Sequence, residues 1–334
     1  MLNQVELLRL KKGDKIDHYL MIKKFDARST KTGKDFLSLE LGDKSVSVAA
    51  NVWSDTSGFP ELFQHGKTGD VVKVKGILDE FNERPQIKVT SIRFTETEDN
   101  INASDFLPKS KRDINEMTDE LFQKIDSISN DYIKILLKNI FKNERLEKFK
   151  QAPAGKSWHH AYIHGLIEHT LEMIKICELM SGFHPEINRD LLIAGAMLHD
   201  FGKTEELTYD SAFNYSDKGK LLGHIVICAT MIDEETKKID NFPEELKNMI
   251  IHLVLSHQGK LEYATPVVPK TVEAIALYQA DELSAKVNAY KNAILTELQS
   301  EGNWTKFIHL AQTDLYKYEI PSDLEEEINK SLFD

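Results

Sequence analysis

The sequence predicts two domains of different class, a five-stranded β-barrel over residues 1–95 and an all-α helical bundle beginning near residue 113. Three observations predict this. Hydrophobic residues recur with period two up to Phe94 and with helical spacing after Asp113. The stretch between, 96–112, is polar and reads as a linker. The charge also divides there: 16 Lys+Arg against 13 Asp+Glu through Thr95, a net of +3, and 26 against 41 beyond it, a net of −15. A chain of 334 residues with 41% hydrophobic and 29% charged residues suits two soluble domains.

The barrel elements follow in order. Lys15–Phe25 reads as a strand, followed by a polar turn, Asp26–Lys34. Phe36, Leu37, Leu39 and Leu41 supply a second strand, ended by Gly42-Asp43. Val46, Val48, Ala50 and Val52 alternate with small or polar neighbours, the pattern of a half-buried third strand. Pro60–His65 fits a short helical connection, and Asp70–Leu78 and Gln86–Phe94 are two further alternating runs joined by a polar loop at 79–85. Five strands with a helix between the third and fourth match the order of an OB-like barrel.

The bundle begins with Leu121, Ile125, Ile128, Tyr132, Ile135, Leu136 and Ile140 at spacings of three and four. Further helices are expected over Glu168–Met180, Arg189–Phe201, Leu222–Lys237, Glu244–Ser256 and Thr271–Tyr290, the second capped at its C-terminus by Gly202. Residues 113–300 form this domain, and 301–334 a C-terminal extension in which Pro321 opens an acidic helix. No apolar run is long enough to span a membrane, and the N-terminus lacks the features of a signal peptide, so a cytoplasmic protein with no membrane partner is expected. Cys177 and Cys228 sit in apolar helical patterns and read as buried thiols.

Nine of the twelve histidines fall between His159 and His257. His169 lies on an apolar helix, His199-Asp200 ends the run LLIAGAML, His257 ends IIHLVLS, and Asp281 interrupts VEAIALYQADEL. A carboxylate inside such a helix is costly unless paired, hydrogen-bonded or bound to a cation. Singly, each has a plainer account: a core histidine, a helix-terminal pair, or Asp281 paired with Lys286. Jointly, imidazoles and carboxylates in this order indicate a centre for Zn, Mn, Fe or Mg-like ions.

The segments EHT (168–170), LHDFGK (198–203), GH (223–224), SHQG (256–259) and QADEL (279–283) together resemble the HD-domain metal-dependent phosphohydrolases. The resemblance covers about residues 158–288 and implies an all-α HD domain. It implies that His169, His199, Asp200 and Asp281 hold one ion, and that His224 and His257 serve a second, with Asp200 bridging. Two such cations, about 3.5–4 Å apart, activate water and neutralise phosphoryl charge. Lys203, just past Asp200, is placed to reach a substrate phosphate, or else to complete a helix C-terminus. His159, His160 and His164 precede the first ligand. Of these, His160 is assigned with Asp200 and Lys203 to the catalytic set, acting from behind the ligands.

HD chemistry alone fits several phosphoesters, and the barrel narrows the choice. OB barrels bind single strands through a basic groove and aromatic platforms. Lys23, Arg28, Lys31 and Lys34 surround the first hairpin, with Phe25, Phe36, Trp53 and Phe81 available for stacking, although each aromatic could equally be barrel core. The order of domains, with FKQAPAGKSWHHAYIHGLIEHT (149–170), resembles the bacterial YhaM-type 3′-to-5′ exoribonucleases. That resemblance implies hydrolysis of single-stranded RNA, and of ssDNA as a second substrate, by metal-activated water. It implies two Mn2+ ions, with Co2+, Fe2+, Zn2+ or Mg2+ as substitutes. The alternatives are a small-nucleotide phosphohydrolase with a regulatory barrel, and a non-catalytic single-strand-binding protein. Assembly into a homo-oligomer is left open.

Overall fold

The computed structural model describes residues 4–30, 33–81, 84–156, 158–209, 213–297, 302–309 and 311–318. The chain divides into two compact units, essentially residues 1–108 and 109–317.

The first unit is a closed barrel of strand order β1-β2-β3-β5-β4, from β1 (Lys15–Ser29), β2 (Asp35–Gly42), β3 (Ser47–Trp53), β4 (Val71–Phe81) and β5 (Arg84–Phe94). Neighbours pair antiparallel except β3 with β5, whose parallel pairing at Ala49 and Gln86 closes the barrel. Helix α1 (Phe59–His65) joins β3 to β4 and buries Phe59 and Leu62 in the barrel core. Leu37, Leu39 and Leu41 alternate inward with Val48, Ala50 and Val52 opposite, as the period-two pattern requires. The five-strand OB-like barrel expected from the sequence is therefore present, with two differences. The polar stretch 26–34 begins as strand, since β1 stays paired to β2 as far as Ser29 and Asp35. The turn expected at 79–85 likewise carries pairing out to Phe81 and Arg84. Both hairpins extend beyond the core, where either face accepts polar residues and the backbone ladder alone sustains the strand.

Residues 96–108 group with the barrel. Short 3-10 turns at Thr97–Asp99 and Ala103–Phe106 lay Phe106, fully buried, near β1.

The second unit is helical. Asp113 caps α2 (Ile114–Asp126) through the Asn115 and Glu116 amides. Helices α3 (Asp131–Ile140), α4 (Asn143–Gln151), α5 (Gly165–Phe183), α6 (Arg189–Leu198), α7 (Lys203–Glu206), α8 (Asp217–Thr236), α9 (Glu244–Ser256) and α10 (Val272–Glu297) follow. A two-stranded ribbon of β6 (Leu207–Thr208) and β7 (Asn214–Tyr215) separates α7 from α8. The core lies among α5, α6, α9 and α10, where Leu171, Ile174, Leu192, Ile193, Leu253 and Leu277 are inaccessible to solvent. Phe141, Phe149 and Phe201 pack edge-on and stacked, with centroids 5.0–5.4 Å apart.

The expected helix Arg189–Phe201 ends sooner, at Leu198. Gly202 is not its left-handed cap. Its φ is −60°, and it precedes α7. What requires glycine is close approach: a Cβ there would lie 2.1 Å from the His224 carbonyl oxygen.

Both cysteines are buried and free, and burial pushes each thiol up to about 12. Among the described residues no helix is long and apolar enough to cross a membrane. The acidic helix expected from Pro321 lies outside the described residues.

Candidate metal centre and nucleic-acid interface

Four histidines and two aspartates converge in the helical unit, delivered by five segments of chain. His169 comes from the first half of α5, and Asp281 from α10. His199 and Asp200 follow the last turn of α6, and His257 follows α9 as its C-cap. His224 is delivered by a break in α8 at Gly223, whose φ of +71° suits glycine and redirects the chain by one residue. His169, His199, His257 and Asp200 are at most 2% exposed.

The outer nitrogens of the four rings are all committed. Nδ1 of His199 donates to the Ala196 carbonyl at 2.9 Å, and that of His257 to Val254 at 2.7 Å. His224 Nδ1 donates to Glu206 Oε1 at 3.0 Å. His169 Nδ1 meets Ser284 Oγ at 3.1 Å, and that hydroxyl donates onward to Glu172 at 2.9 Å, so the ring nitrogen carries the proton. In its neutral form each imidazole therefore turns an unprotonated Nε2 inward. His169 and His199 face one another Nε2 to Nε2 at 3.3 Å, with Asp281 Oδ1 3.2 Å from His169. On the other side, Asp200 Oδ1 lies 3.3 Å from His224 Nε2 and 3.6 Å from His257 Nε2. Asp200 Oδ1 and His224 Nε2 are buried without a hydrogen-bond partner among the described residues, despite their proximity.

Lone pairs crowded against lone pairs and carboxylates are stable only around positive charge. The donor set, four imidazole nitrogens and two carboxylates, fits a divalent cation. It falls into two trios, His169/His199/Asp281 and Asp200/His224/His257, joined by Asp200, which also lies 3.4 Å from His199. Outer partners that hold a ligating imidazole in one tautomer are a recurring part of metal sites.

Lys203 is buried and directed inward, donating to Asp200 Oδ2 at 2.5 Å and to the Ala154 carbonyl at 2.6 Å. It does not complete a helix C-terminus. His160 is fully buried and uses both ring nitrogens, Nδ1 with the Tyr162 hydroxyl at 2.6 Å and Nε2 with Glu172 at 3.2 Å. Lys286 pairs with Glu282, leaving Asp281 to the histidines. Sequence reasoning missed Glu172, Glu206 and Ser284. Glu172 stands three residues after His169 on one helix, a same-face spacing that could have flagged it. It named His159 without assigning it a role, and that ring lies 5.2 Å from the ring of His169.

Electrostatics follow from burial and these pairings. Burial opposes charge on Asp200, but Lys203 and His199 outweigh it and hold the carboxyl well below its usual range. Asp281 is likewise held low, its burial outweighed by His169 and His199. Burial pushes His169 and His257 down, and His159 to about 3. His199 goes the other way, because Asp200 outweighs its burial.

A depressed histidine adds stability above its unfolded value of 6.5, and this is lost as pH falls below 6.5 toward the folded value. Raised His199 adds stability below 6.5 that is lost as pH rises through its folded value, but three depressed rings oppose it. The chelated, ion-free protein should therefore show a lower urea midpoint at pH 5.5 than at pH 7.5. Equal midpoints would contradict this linkage.

On the barrel, cross-strand register aligns Arg28 with Phe36 and Phe36 with Trp53, a row on the outer face opposite the buried Leu37. Phe36 and Trp53 stack at 4.9 Å, and the Lys34 ammonium lies 5.9 Å from the Trp53 ring. Trp53 is 39% exposed, and Phe81 63% at the β4–β5 tip, beside a cavity of about 420 Å³ lined by Ala49, Arg84, Pro85 and Gln86. The structure does not bring Lys23 and Phe25 to this row. Lys23 donates to the Phe106 carbonyl at 2.8 Å, with burial lowering its basicity, and Phe25 packs against the barrel core. Lys31 lies outside the described residues.

Comparison with known proteins places these features. The HD domain family matches residues 166–286, and an OB-fold nucleic acid binding domain family matches residues 22–94. The 3′-5′ exoribonuclease YhaM of Bacillus subtilis (strain 168) is 33% identical over 306 residues, 91% of this chain and 95% of that protein. The protein of the same name from Geobacillus sp. (strain WCH70) is 34% identical over 91% of this chain and 92% of its own. That from Bacillus licheniformis is 34% identical over 88% and 91%. The two family matches follow one another in the order barrel, then helical unit, and the chain belongs to the YhaM family, an OB-fold domain followed by an HD domain.

Proposed function

We propose that the protein is a divalent-metal-dependent 3′-to-5′ exoribonuclease acting on single-stranded RNA, with single-stranded DNA as a second substrate. The observation that carries this reading is the inward convergence of four unprotonated Nε2 atoms and two carboxylates, in a chain related over nine-tenths of its length to exoribonucleases. His169, His199, Asp200 and Asp281 would hold one ion, and Asp200, His224 and His257 a second, with Mn2+ the expected species. Bound there, such ions supply charge neutralisation for a phosphoryl group and lower the pKa of water.

The protein's own residues do the rest. Glu206 and the Ser284–Glu172 pair fix the tautomers of His224 and His169, so that no ring turns a proton inward. Lys203 holds Asp200 in a single orientation and keeps a positive charge at the side of the site. His160 braces Glu172, which places it behind the ligands. On the barrel, Arg28, Phe36 and Trp53 offer a cation and a stacked aromatic pair to successive bases, with Phe81 a further platform.

Affinity for single-stranded oligonucleotides should rise with length and exceed that for mononucleotides. Trp53→Ala should weaken it roughly tenfold, within the roughly 1–3 kcal/mol of a lost base–aromatic stack, leaving ion binding unchanged. Fluorescence anisotropy with labelled oligomers checks this. Length-independent affinity, with hydrolysis of free nucleotides instead, would move the assignment to a small-nucleotide phosphohydrolase.

A further inference from the structure

His159 is the one histidine beside the centre that the arrangement above leaves without a task. Neither ring nitrogen has a hydrogen-bond partner among the described residues, although both are buried. Two buried, unsatisfied polar atoms on one side chain are costly and call for an occupant. One ring nitrogen lies within 4.8 Å of donor atoms of both His169 and Asp200. Successive ring contacts run from His159 to His169, His199, His257 and His224, so His159 stands at one end of the arc.

Its orientation is built in by its neighbour. His160 is pinned by its amide on Asn288, by its carbonyl accepting from the Ala154 and Tyr162 amides, and by its ring on Tyr162 and Glu172. The two rings lie nearly perpendicular, at 86°. With His160 directed to Glu172, His159 is directed to the centre.

One feature separates His159 from the four ligand histidines. Each of those passes its Nδ1 proton to an outer acceptor, the arrangement expected of an imidazole built to ligate. His159 has no such acceptor. A ring left free at both nitrogens suits a visiting group that needs a donor.

We propose that His159 is a catalytic residue that donates an N–H to an oxygen of the scissile phosphodiester, beside Asp200, and is not a metal ligand. The inference rests on the exonuclease reading for the identity of the phosphoester, but the contact is with phosphate oxygen and is testable without turnover.

The test is calorimetry on the full chain. Mn2+ is titrated into parent, His159→Asn and His159→Ala proteins, and adenosine 5′-monophosphate into the Mn-loaded forms. Melting curves confirm that each variant is folded, and the Asn variant retains a donor should Ala disturb the segment. Mn affinity should stay within about twofold of the parent, while AMP affinity falls about tenfold or more in His159→Ala, with partial recovery in His159→Asn. Loss of Mn affinity by tenfold in both variants would make His159 a ligand and overturn the proposal. Unchanged AMP affinity in both would overturn it as well. If the parent leaves RNA intact yet AMP binding still depends on His159, the exonuclease reading fails and the phosphate contact stands.

Discussion

Asp200→Asn should abolish nuclease activity, with turnover falling on the order of 10³-fold or more, beyond the usual loss of one preorganised electrostatic donor. Asp200 joins the two trios, with Oδ1 toward His224 and His257 and Oδ2 toward His199. An amide keeps the shape and one oxygen, but removes the negative charge on which cation binding would depend and presents an N–H to lone pairs. It also deprives Lys203 of its charged partner, leaving the ammonium with neutral acceptors such as the Ala154 carbonyl. Losing one partner of a buried ion pair costs about 3–5 kcal/mol. Ion-free Asp200→Asn should thus be less stable, partly offset by relief of repulsion with Asp281. Calorimetric Mn titration, steady-state kinetics and urea denaturation read the three consequences separately. Full Mn affinity with full turnover would remove Asp200 from the centre.

Gly202→Ala should have the second-largest effect, although a methyl group at this position carries no chemistry. The new Cβ would stand 2.1 Å from the His224 carbonyl oxygen and 2.8 Å from its carbon, backbone atoms that cannot rotate away. Either α7 or the start of the second half of α8 must move, and His224 moves with the latter. Overpacking of this kind costs about 1–3 kcal/mol, and an ångström of displacement at a reacting centre costs roughly 10²-fold in rate. Gly182→Ala is the control, since nothing lies within 4 Å of its added Cβ and the residue is helical. It should be neutral or slightly stabilising. Urea midpoints and turnover for the two variants check the contrast, and equal behaviour would show that the α7–α8 contact yields without cost.

The parts of this molecule legible in its sequence are those where one physical demand dominates. Strands β2 and β3 were readable because inward Leu37, Leu39, Leu41, Val48, Ala50 and Val52 recur at every second position. The outer reaches of the first hairpin were not, because Asp26–Ser29 has no buried face to impose a pattern and is ordered by the backbone ladder. His169, His199, Asp200, His257 and Asp281 stood out as polar residues in apolar helices, and the fold brings them together. Glu206 did not stand out, since in a chain with 54 acidic residues the pair Glu205-Glu206 looks like solvated surface. Only the break at Gly223 turns His224 onto it. The choice between His159 and His160 is beyond any spacing rule. Adjacent residues there face opposite ways, because His160 takes a left-handed φ of +41°. Lys23 and Phe25, expected beside Arg28 and Phe36, leave that outer row because a bulge at Ile22/Lys24 shifts the alternation along β1.

The most direct test is a denaturing gel of a 5′-labelled single-stranded RNA incubated with the Mn-loaded protein. The account predicts a ladder of 5′-labelled fragments that shortens progressively from the 3′ end and disappears on chelation. Intact RNA, or a few discrete internal cuts with no stepwise shortening, would contradict it.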